Sequence, residues 1–141
     1  MFKGKKVLVL GLAKSGKAAV ELLKFMHADI TINESKKKED IPEYDTYVSE
    51  GIEMVCGGQP DELFERDFDF VVKNPGFNYH APFILRLKER GIPVYTEIEL
   101  GYKVAKKQHY IAVTGTNGKT TTVTLIYEIL KAAGRKAHIC G

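Results

Sequence analysis

The stretch KVLVLGLAKSG, from Lys6 to Gly16, decides the fold of this 141-residue chain. The apolar run that ends at Leu10 predicts a buried β-strand. Gly11 follows it directly, and the residues from 15 to 28 then place an apolar stripe on one helical face, formed by Ala19, Leu22, Leu23 and Met26. A strand, a glycine turn and a helix in this order are typical of nucleotide-binding α/β units.

The same alternation continues along the chain. Residues 81–91 predict a second helix, with a proline near its first turn and a glycine after its last. Strands that alternate with helices favour parallel pairing in a doubly wound α/β sheet, so we expect a Rossmann-like domain. Four more strands are predicted, at residues 29–33, 52–56, 68–72 and 93–96.

A second α/β unit begins after this domain. Residues 97–109 predict a connecting helix, and the pattern then restarts with a strand at 110–115, a helix at 118–134 and a strand at 136–140. One βαβ piece cannot close a sheet of its own, so we expect the chain to be a fragment of a longer protein. The expected division is a Rossmann-like domain at 1–96, followed by a linker and the truncated start of a second domain at 97–141.

Composition limits the classes of partner. The net charge of +3, from 21 basic and 18 acidic residues, is too balanced to predict binding to nucleic acid. No apolar run is long enough to cross a bilayer, so no membrane insertion is expected. Cys56 and Cys140 have no Cys or His at metal-ligand spacing, which indicates reduced thiols and a cytoplasmic protein.

The stretch VTGTNGKTTT, from Val113 to Thr122, predicts a phosphate-binding loop. Gly115 and Gly118 allow a tight turn that aims backbone N–H groups at the start of a helix, where an anion is favoured. Lys119 adds a positive charge for the outer phosphates, and the Thr120 hydroxyl is placed for Mg²⁺. The common P-loop spacing needs glycine at position 113, where this chain has Val113, and a glycine turn capped by threonines is the alternative.

The first glycine turn predicts a weaker phosphate site. Gly11 and Gly16 match the first and third glycines of the dinucleotide fingerprint, but Ala13 replaces the second, which argues against a tightly held NAD. The N–H groups of Lys14 and Ser15 remain available for phosphate, and a simple strand-to-helix turn is the alternative.

Two further loops follow predicted strands. Glu34, at the end of the second strand, is placed to accept a hydrogen bond from a ribose hydroxyl or a base, and a surface glutamate is the alternative. The turn of Asn74, Pro75 and Gly76 follows the fourth strand, at the carboxyl edge of the sheet where open α/β folds bind ligands.

The chain resembles the Mur ligases of peptidoglycan synthesis. The resemblance rests on VLVLGLAKSG, NPGF, EIELGY and above all VTGTNGKTTT, whose shorter loop explains Val113. It is closest to the branch that joins D-glutamate to UDP-N-acetylmuramoyl-L-alanine, and it implies ATP and Mg²⁺ as cofactors and an acyl phosphate as intermediate.

The resemblance also implies roles for single residues. Lys14 and Ser15 would face the diphosphate, Glu34 and Ser35 the uracil, and Asn74, Pro75 and Gly76 the sugar-phosphate side. Lys119 and Thr120 would serve catalysis, with Thr120 at Mg²⁺. The implied ATP loop consists of Gly115, Thr116, Asn117, Gly118, Lys119, Thr120 and Thr121.

Two rival functions stay open at this point. One is a non-catalytic UDP- or NAD(P)-binding Rossmann module, in which the second glycine loop is only structural. The other is a different Mur-type ligase or a folylpolyglutamate synthase, although the folate enzymes lack the first domain. The fragment alone is expected to be inactive, because the residues that bring the amino acid would lie after Gly141.

Overall fold

The fold is described from a computed structural model, which covers residues 2–105 and 108–139. The chain divides into two compact units, Met1–Lys106 and Lys107–Gly141.

The first unit is built on a five-stranded parallel sheet. The strand order is β3-β2-β1-β4-β5, and every neighbouring pair is parallel. All five strands predicted in this region are confirmed, with ends that shift by at most two residues. The strands are β1 (Lys6–Leu10), β2 (Asp29–Glu34), β3 (Glu53–Cys56), β4 (Phe70–Lys73) and β5 (Val94–Thr96).

Five helices cover the sheet. The two predicted helices are confirmed as α1 (Lys14–Phe25) and α4 (Pro82–Glu89). Two short helices, α2 (Tyr44–Ser49) and α3 (Asp61–Glu65), lie in segments where no helix was predicted. The connecting helix is present as α5 (Glu97–Val104), which ends before the predicted position 109.

The two faces of β1 enter different cores. Val7 and Val9 belong to a cluster that also contains Leu23 of α1 and Leu100 of α5, whereas Leu8 and Leu10 pack with residues of α3 and α4. Alternate side chains of a strand point to opposite faces, so a strand between two helical layers must be apolar throughout. Each of these fully buried side chains contributes roughly 1.5–3 kcal/mol.

The helix α5 packs on the first unit. Thr96 caps it in a capping box, in which the Thr96 N–H donates to Glu99 Oε2 at 2.7 Å and the Glu99 N–H donates to Thr96 Oγ1 at 3.3 Å. Leu100 is fully buried in the core of the sheet. The start of the predicted linker is therefore part of the first compact unit.

The second unit contains one helix, α6 (Lys119–Ala132), as predicted. The helix ends at Ala132, and Gly134, two residues later, has a φ of 70°, which allows the N–H groups of Gly134 and Arg135 to bond to the carbonyls of Lys131 and Leu130. The strands predicted at 110–115 and 136–140 are wrong for the described residues, which have no strand there; Cys140 lies outside them. Two strands with one helix bury too little surface to form a stable sheet by themselves.

Candidate functional site

A cavity of about 510 Å³ opens at the carboxyl edge of the sheet in the first unit. From β1 the sheet extends to β2 on one side and to β4 on the other, so the chain reverses its direction of winding at this point. Open α/β sheets bind ligands in the crevice at such a switch point. The lining includes residues of the loops that follow β1, β2, β3 and β4.

The loop after β1 is fixed by two close contacts. The Gly11 N–H donates to the carbonyl of Asn33 at 2.8 Å, and Gly11 has a φ of 87°, which favours glycine. A Cβ on Gly16 would lie 2.0 Å from the carbonyl oxygen of Gly11, so only glycine lets α1 approach the strand end this closely. Gly11, Leu12 and Ala13 line the cavity.

The start of α1 presents backbone donors. The first helical hydrogen bond runs from the N–H of Lys17 to the carbonyl of Ala13 at 3.0 Å. The N–H groups of Lys14, Ser15 and Gly16 precede it and have no acceptor within the helix. These donors and the helix dipole favour an anion at the end of the cavity that Ala13 lines.

Glu34 ties the end of β2 to the first glycine loop. Its Oε2 accepts from the N–H of Leu12 at 2.7 Å, and its Oε1 accepts from the Ser35 hydroxyl and the Lys36 N–H, both at 3.2 Å. Burial raises the pKa of the Glu34 carboxyl, but the hydrogen bonds from Leu12, Lys36 and Ser35 outweigh burial and hold the pKa below its usual value. The carboxylate is therefore ionised at neutral pH and orders the loop.

The loop after β4 is held by a buried lysine. The Lys73 side chain is only 2% exposed, and its ammonium donates to the carbonyl of Phe77 at 2.9 Å and lies 4.2 Å from the ring centroid of Tyr79. The Asn74 side chain accepts from the Gly76 N–H at 3.0 Å, which forms an Asx-type turn. Asn74, Gly76 and Phe77 all line the cavity.

Another wall comes from the loop after β3. The fully buried Asn33 side chain donates to the carbonyls of Val55 at 3.1 Å and Gly58 at 2.7 Å, and the next residue, Gln59, lines the cavity. Sequence reasoning missed this wall, because a hydrogen bond from β2 to a loop about 25 residues later leaves no local pattern.

An ion pair joins two further walls of the cavity. Lys17 on α1 bonds to Glu43, the residue before α2, and both line the cavity. The hydrogen bond with Glu43 raises the pKa of Lys17, and the same bond lowers the pKa of Glu43. Neither residue was predicted, although Lys17 stands directly after the first glycine turn and was the better candidate to find.

Some of the site residues predicted in the first unit line the cavity, and others do not. Glu34, Asn74 and Gly76 line it, whereas Lys14, Ser15, Ser35 and Pro75 are outside its lining. Lys14 and Ser15 would act through backbone N–H groups, and the Ser35 hydroxyl is bonded to Glu34.

The glycine loop of the second unit leads into a helix start that no side chain caps. Gly115 and Gly118 have φ values of 152° and 74°, and Gly118 precedes α6 without a side-chain cap. The Lys119 ammonium folds back onto the carbonyls of Gly115 and Thr116. Every residue from Gly115 to Thr121 is exposed, so an entering phosphate would displace only those carbonyls from Lys119 and water from the N–H groups.

The same loop fits a magnesium ion bound together with a nucleotide. Among residues 2–105 and 108–139, no group of three or more His, Cys, Asp or Glu side chains could hold a metal ion. Mg²⁺ commonly keeps waters and binds through few protein groups together with substrate phosphates. The exposed Thr120 hydroxyl is a suitable single ligand of that kind.

The parallel sheet and its helices define an α/β protein of the Rossmann-like class. The chain belongs to the Mur ligase family: residues 5–96 match the N-terminal domain of MurD-like Mur ligases, and residues 113–141 match the Mur ligase middle domain.

Named relatives agree with this assignment. The chain is 46% identical over 140 residues to UDP-N-acetylmuramoylalanine–D-glutamate ligase of Streptococcus agalactiae and 48% identical to the enzyme of that name from Streptococcus pneumoniae, covering 99% of this chain and 31% of each relative. A crystal structure of a murein peptide ligase from Psychrobacter arcticus shares the fold, with a TM-score of 0.64, 22% identity and coverage of 93% of this chain and 27% of that one. The chain thus spans about a third of the length of the curated relatives that it matches.

No helix in the described part of the chain, residues 2–105 and 108–139, is both long and apolar enough to span a membrane.

Proposed function

We propose that this chain is the substrate-nucleotide and ATP-loop portion of a ligase that adds D-glutamate to UDP-N-acetylmuramoyl-L-alanine. In this proposal residues 1–96 bind the UDP part of the substrate, and residues 97–141 contain the linker, which starts with α5, and the beginning of the ATP-binding domain. The supporting observation is the pair of helix starts, at Lys14 and Lys119, that each follow a glycine turn and each present uncapped N–H groups. A ligase of this class needs one such site for each of its two nucleotides.

The first site suits UDP better than a dinucleotide. In dinucleotide-binding folds the second glycine of the first loop lets the pyrophosphate approach the backbone closely. Here Ala13 stands at that position and lines the cavity, which disfavours a tightly held dinucleotide. The donors of Lys14 and Ser15 would hold the diphosphate, Glu34 and Ser35 would meet the uracil, and Asn74 to Gly76 would meet the sugar side.

The second site would bind the phosphates of ATP through Gly115 to Thr121. The Lys119 ammonium would leave the carbonyls of Gly115 and Thr116 for the outer phosphates, and the Thr120 hydroxyl would hold Mg²⁺. ATP would supply the phosphoryl group that converts the substrate carboxylate to an acyl phosphate with release of ADP, and the amine of D-glutamate would then displace the phosphate to form the amide. Positive charge at Lys119 would stabilise the charge that develops on the transferred group.

The longer relatives imply that the amino-acid site lies in protein that this chain does not span. We therefore expect nucleotide binding without ligase turnover from the 141-residue chain. The use of ATP and of a nucleotide-linked precursor favours the cytoplasm as the place of the reaction.

An NMR titration of the ¹⁵N-labelled chain tests the proposal at single residues. UDP should shift the amide signals of Lys14, Ser15 and Gly16, and Mg-ATP should shift those of Gly115 to Thr121, because bound phosphates accept hydrogen bonds from these donors. UDP should also shift the amide signals of Asn74 and Gly76, which the sugar side would approach. In Lys119→Ala the response to Mg-ATP should disappear while the response to UDP is retained.

A non-catalytic dinucleotide-binding module would respond differently in this titration. If NAD shifted the signals around Leu12 and UDP did not, the first domain would be a dinucleotide module and the ligase assignment would be refuted. If Mg-ATP shifted the loop signals equally in Lys119→Ala, the role given to Lys119 would be wrong.

A further inference from the structure

The Lys17–Glu43 ion pair crosses the cavity that we assign to UDP. Lys17 projects from the first turn of α1, and Glu43 lies on the facing segment that leads into α2. Both side chains line the cavity, and they are 41% and 39% exposed, so a ligand that enters the cavity can reach them.

Lys17 is also close in the chain to the backbone donors expected to hold a phosphate. Its N–H makes the first bond of α1, directly after the N–H groups of Lys14, Ser15 and Gly16 that have no helical acceptor. A lysine ammonium on a flexible stem is a common point-charge partner for phosphate.

The charge of the cavity gives the ion pair its significance. The lining contains three carboxylates, of Glu34, Asp40 and Glu43, and two ammonium groups, of Lys17 and Lys36. Glu34 is satisfied by protein donors, but Glu43 draws Lys17 away from any entering anion. The lining has one more carboxylate than ammonium groups, which opposes the attraction of the α1 N–H groups for a diphosphate, so an ammonium group that turns from Glu43 to the ligand would favour binding.

We propose that the Lys17 ammonium leaves Glu43 and bonds to the diphosphate when the ligand binds. Lys17 is then a specificity-determining residue for the charge of the ligand, and Glu43 competes with the diphosphate for Lys17. This inference rests on the proposed function of the cavity. A diphosphate offers more charge and more acceptor oxygens than one carboxylate, so it displaces Glu43. Uridine, which has no phosphate, leaves the ion pair in place.

Calorimetric titration of the 141-residue chain with UDP and with uridine tests this exchange. Lys17→Met should weaken UDP binding by about tenfold, the usual effect of losing one hydrogen bond to a charged group, and should leave uridine binding unchanged. Glu43→Gln should strengthen UDP binding by about two- to fivefold, the usual value of an exposed ion pair. In the double variant the gain from Glu43→Gln should vanish, because its effect depends on Lys17.

A second ion pair between the same helices is a matched control. Lys24 on α1 bonds to Glu50 at the end of α2 at 2.7 Å, and neither residue lines the cavity. Lys24→Met and Glu50→Gln should leave UDP affinity unchanged. If Glu43→Gln weakened UDP binding as Lys17→Met does, the pair would only hold the cavity wall in place and the exchange would be refuted.

The remaining outcomes separate the two proposals. If the unmodified chain binds UDP and Lys17→Met does not change the affinity, the exchange is refuted and the proposed UDP site is retained. Failure of the unmodified chain to bind UDP at all would refute the proposed function and the exchange together. A tightening by Glu43→Gln that persists in Lys17→Met would show repulsion by Glu43 alone and would also overturn the exchange.

Discussion

At the scale of single residues, Gly16 carries the tightest steric constraint of the first glycine turn. A Cβ there would lie 2.0 Å from the carbonyl oxygen of Gly11, which is backbone and has little room to move. We expect Gly16→Ala to lower the free energy of unfolding by about 3 kcal/mol, at the upper end of overpacking effects. Urea unfolding followed by circular dichroism measures the change.

Gly101 provides the matched control for this substitution. It lies inside α5 and a Cβ would meet no atom within 4 Å. Gly101→Ala should therefore raise the free energy of unfolding by about 0.5–1 kcal/mol, through helix propensity. Equal effects of the two substitutions would contradict the close contact of α1 with Gly11.

Glu34 predicts a pH dependence of stability. Its pKa is lowered by folding, so the carboxylate stabilises the fold above its unfolded pKa, near the ordinary value of 4.5, and this contribution is lost as pH falls through the lower folded pKa. Glu34→Gln should cost about 1–2 kcal/mol at pH 7, because Leu12, Ser35 and Lys36 lose a charged acceptor. The difference from the unmodified chain should shrink in urea titrations at successively lower pH.

Glu65→Gln, at an exposed position of α3, is the control and should show little effect at any pH. A Glu34→Gln cost that stayed constant down to pH 3 would mean that the ionised carboxylate does not order the loop.

At the scale of elements, the sequence predicted those whose pattern is local. The five strands of the first sheet are apolar runs bounded by turn residues, and α1 and α4 have clear helical periodicity and end signals. The helices α2 and α3 have six and five residues, too few for a period to show. The strands predicted at 110–115 and 136–140 have the right composition, but a strand needs a paired neighbour and composition does not provide one.

The residues of the candidate site also differ in whether the sequence could predict them. Glu34 and Asn74 could be predicted, because the carboxyl ends of parallel strands meet at one edge of the sheet. Other contacts of the cavity walls could not be predicted: Lys17 and Glu43 are 26 positions apart, and Asn33 reaches a carbonyl 25 positions away. Such contacts depend on how α2 and the loop after β3 pack, which has no signature in the sequence.

At the scale of the whole molecule, the two units differ in how much apolar surface they bury. The first unit has strands and helices with fully buried side chains on both faces of its sheet. In α6 no residue is buried, and Leu125 and Ile129 are 58% and 67% exposed. An isolated helix of about 12–15 residues is only marginally stable in water, and α6 has 14.

This contrast predicts unequal protection from hydrogen exchange. Amides of β1, which is paired on both sides by β2 and β4, should exchange only through global unfolding of the first unit, whereas amides of α6 should exchange through local opening. We expect protection in β1 to exceed that in α6 by at least roughly two orders of magnitude, measured by NMR on the 141-residue chain. Addition of Mg-ATP should raise protection at the start of α6 and leave β1 unchanged, because a ligand stabilises the form that it binds. Protection in α6 equal to that in β1 without nucleotide would show that the helix is covered in solution and would overturn this account of the second unit.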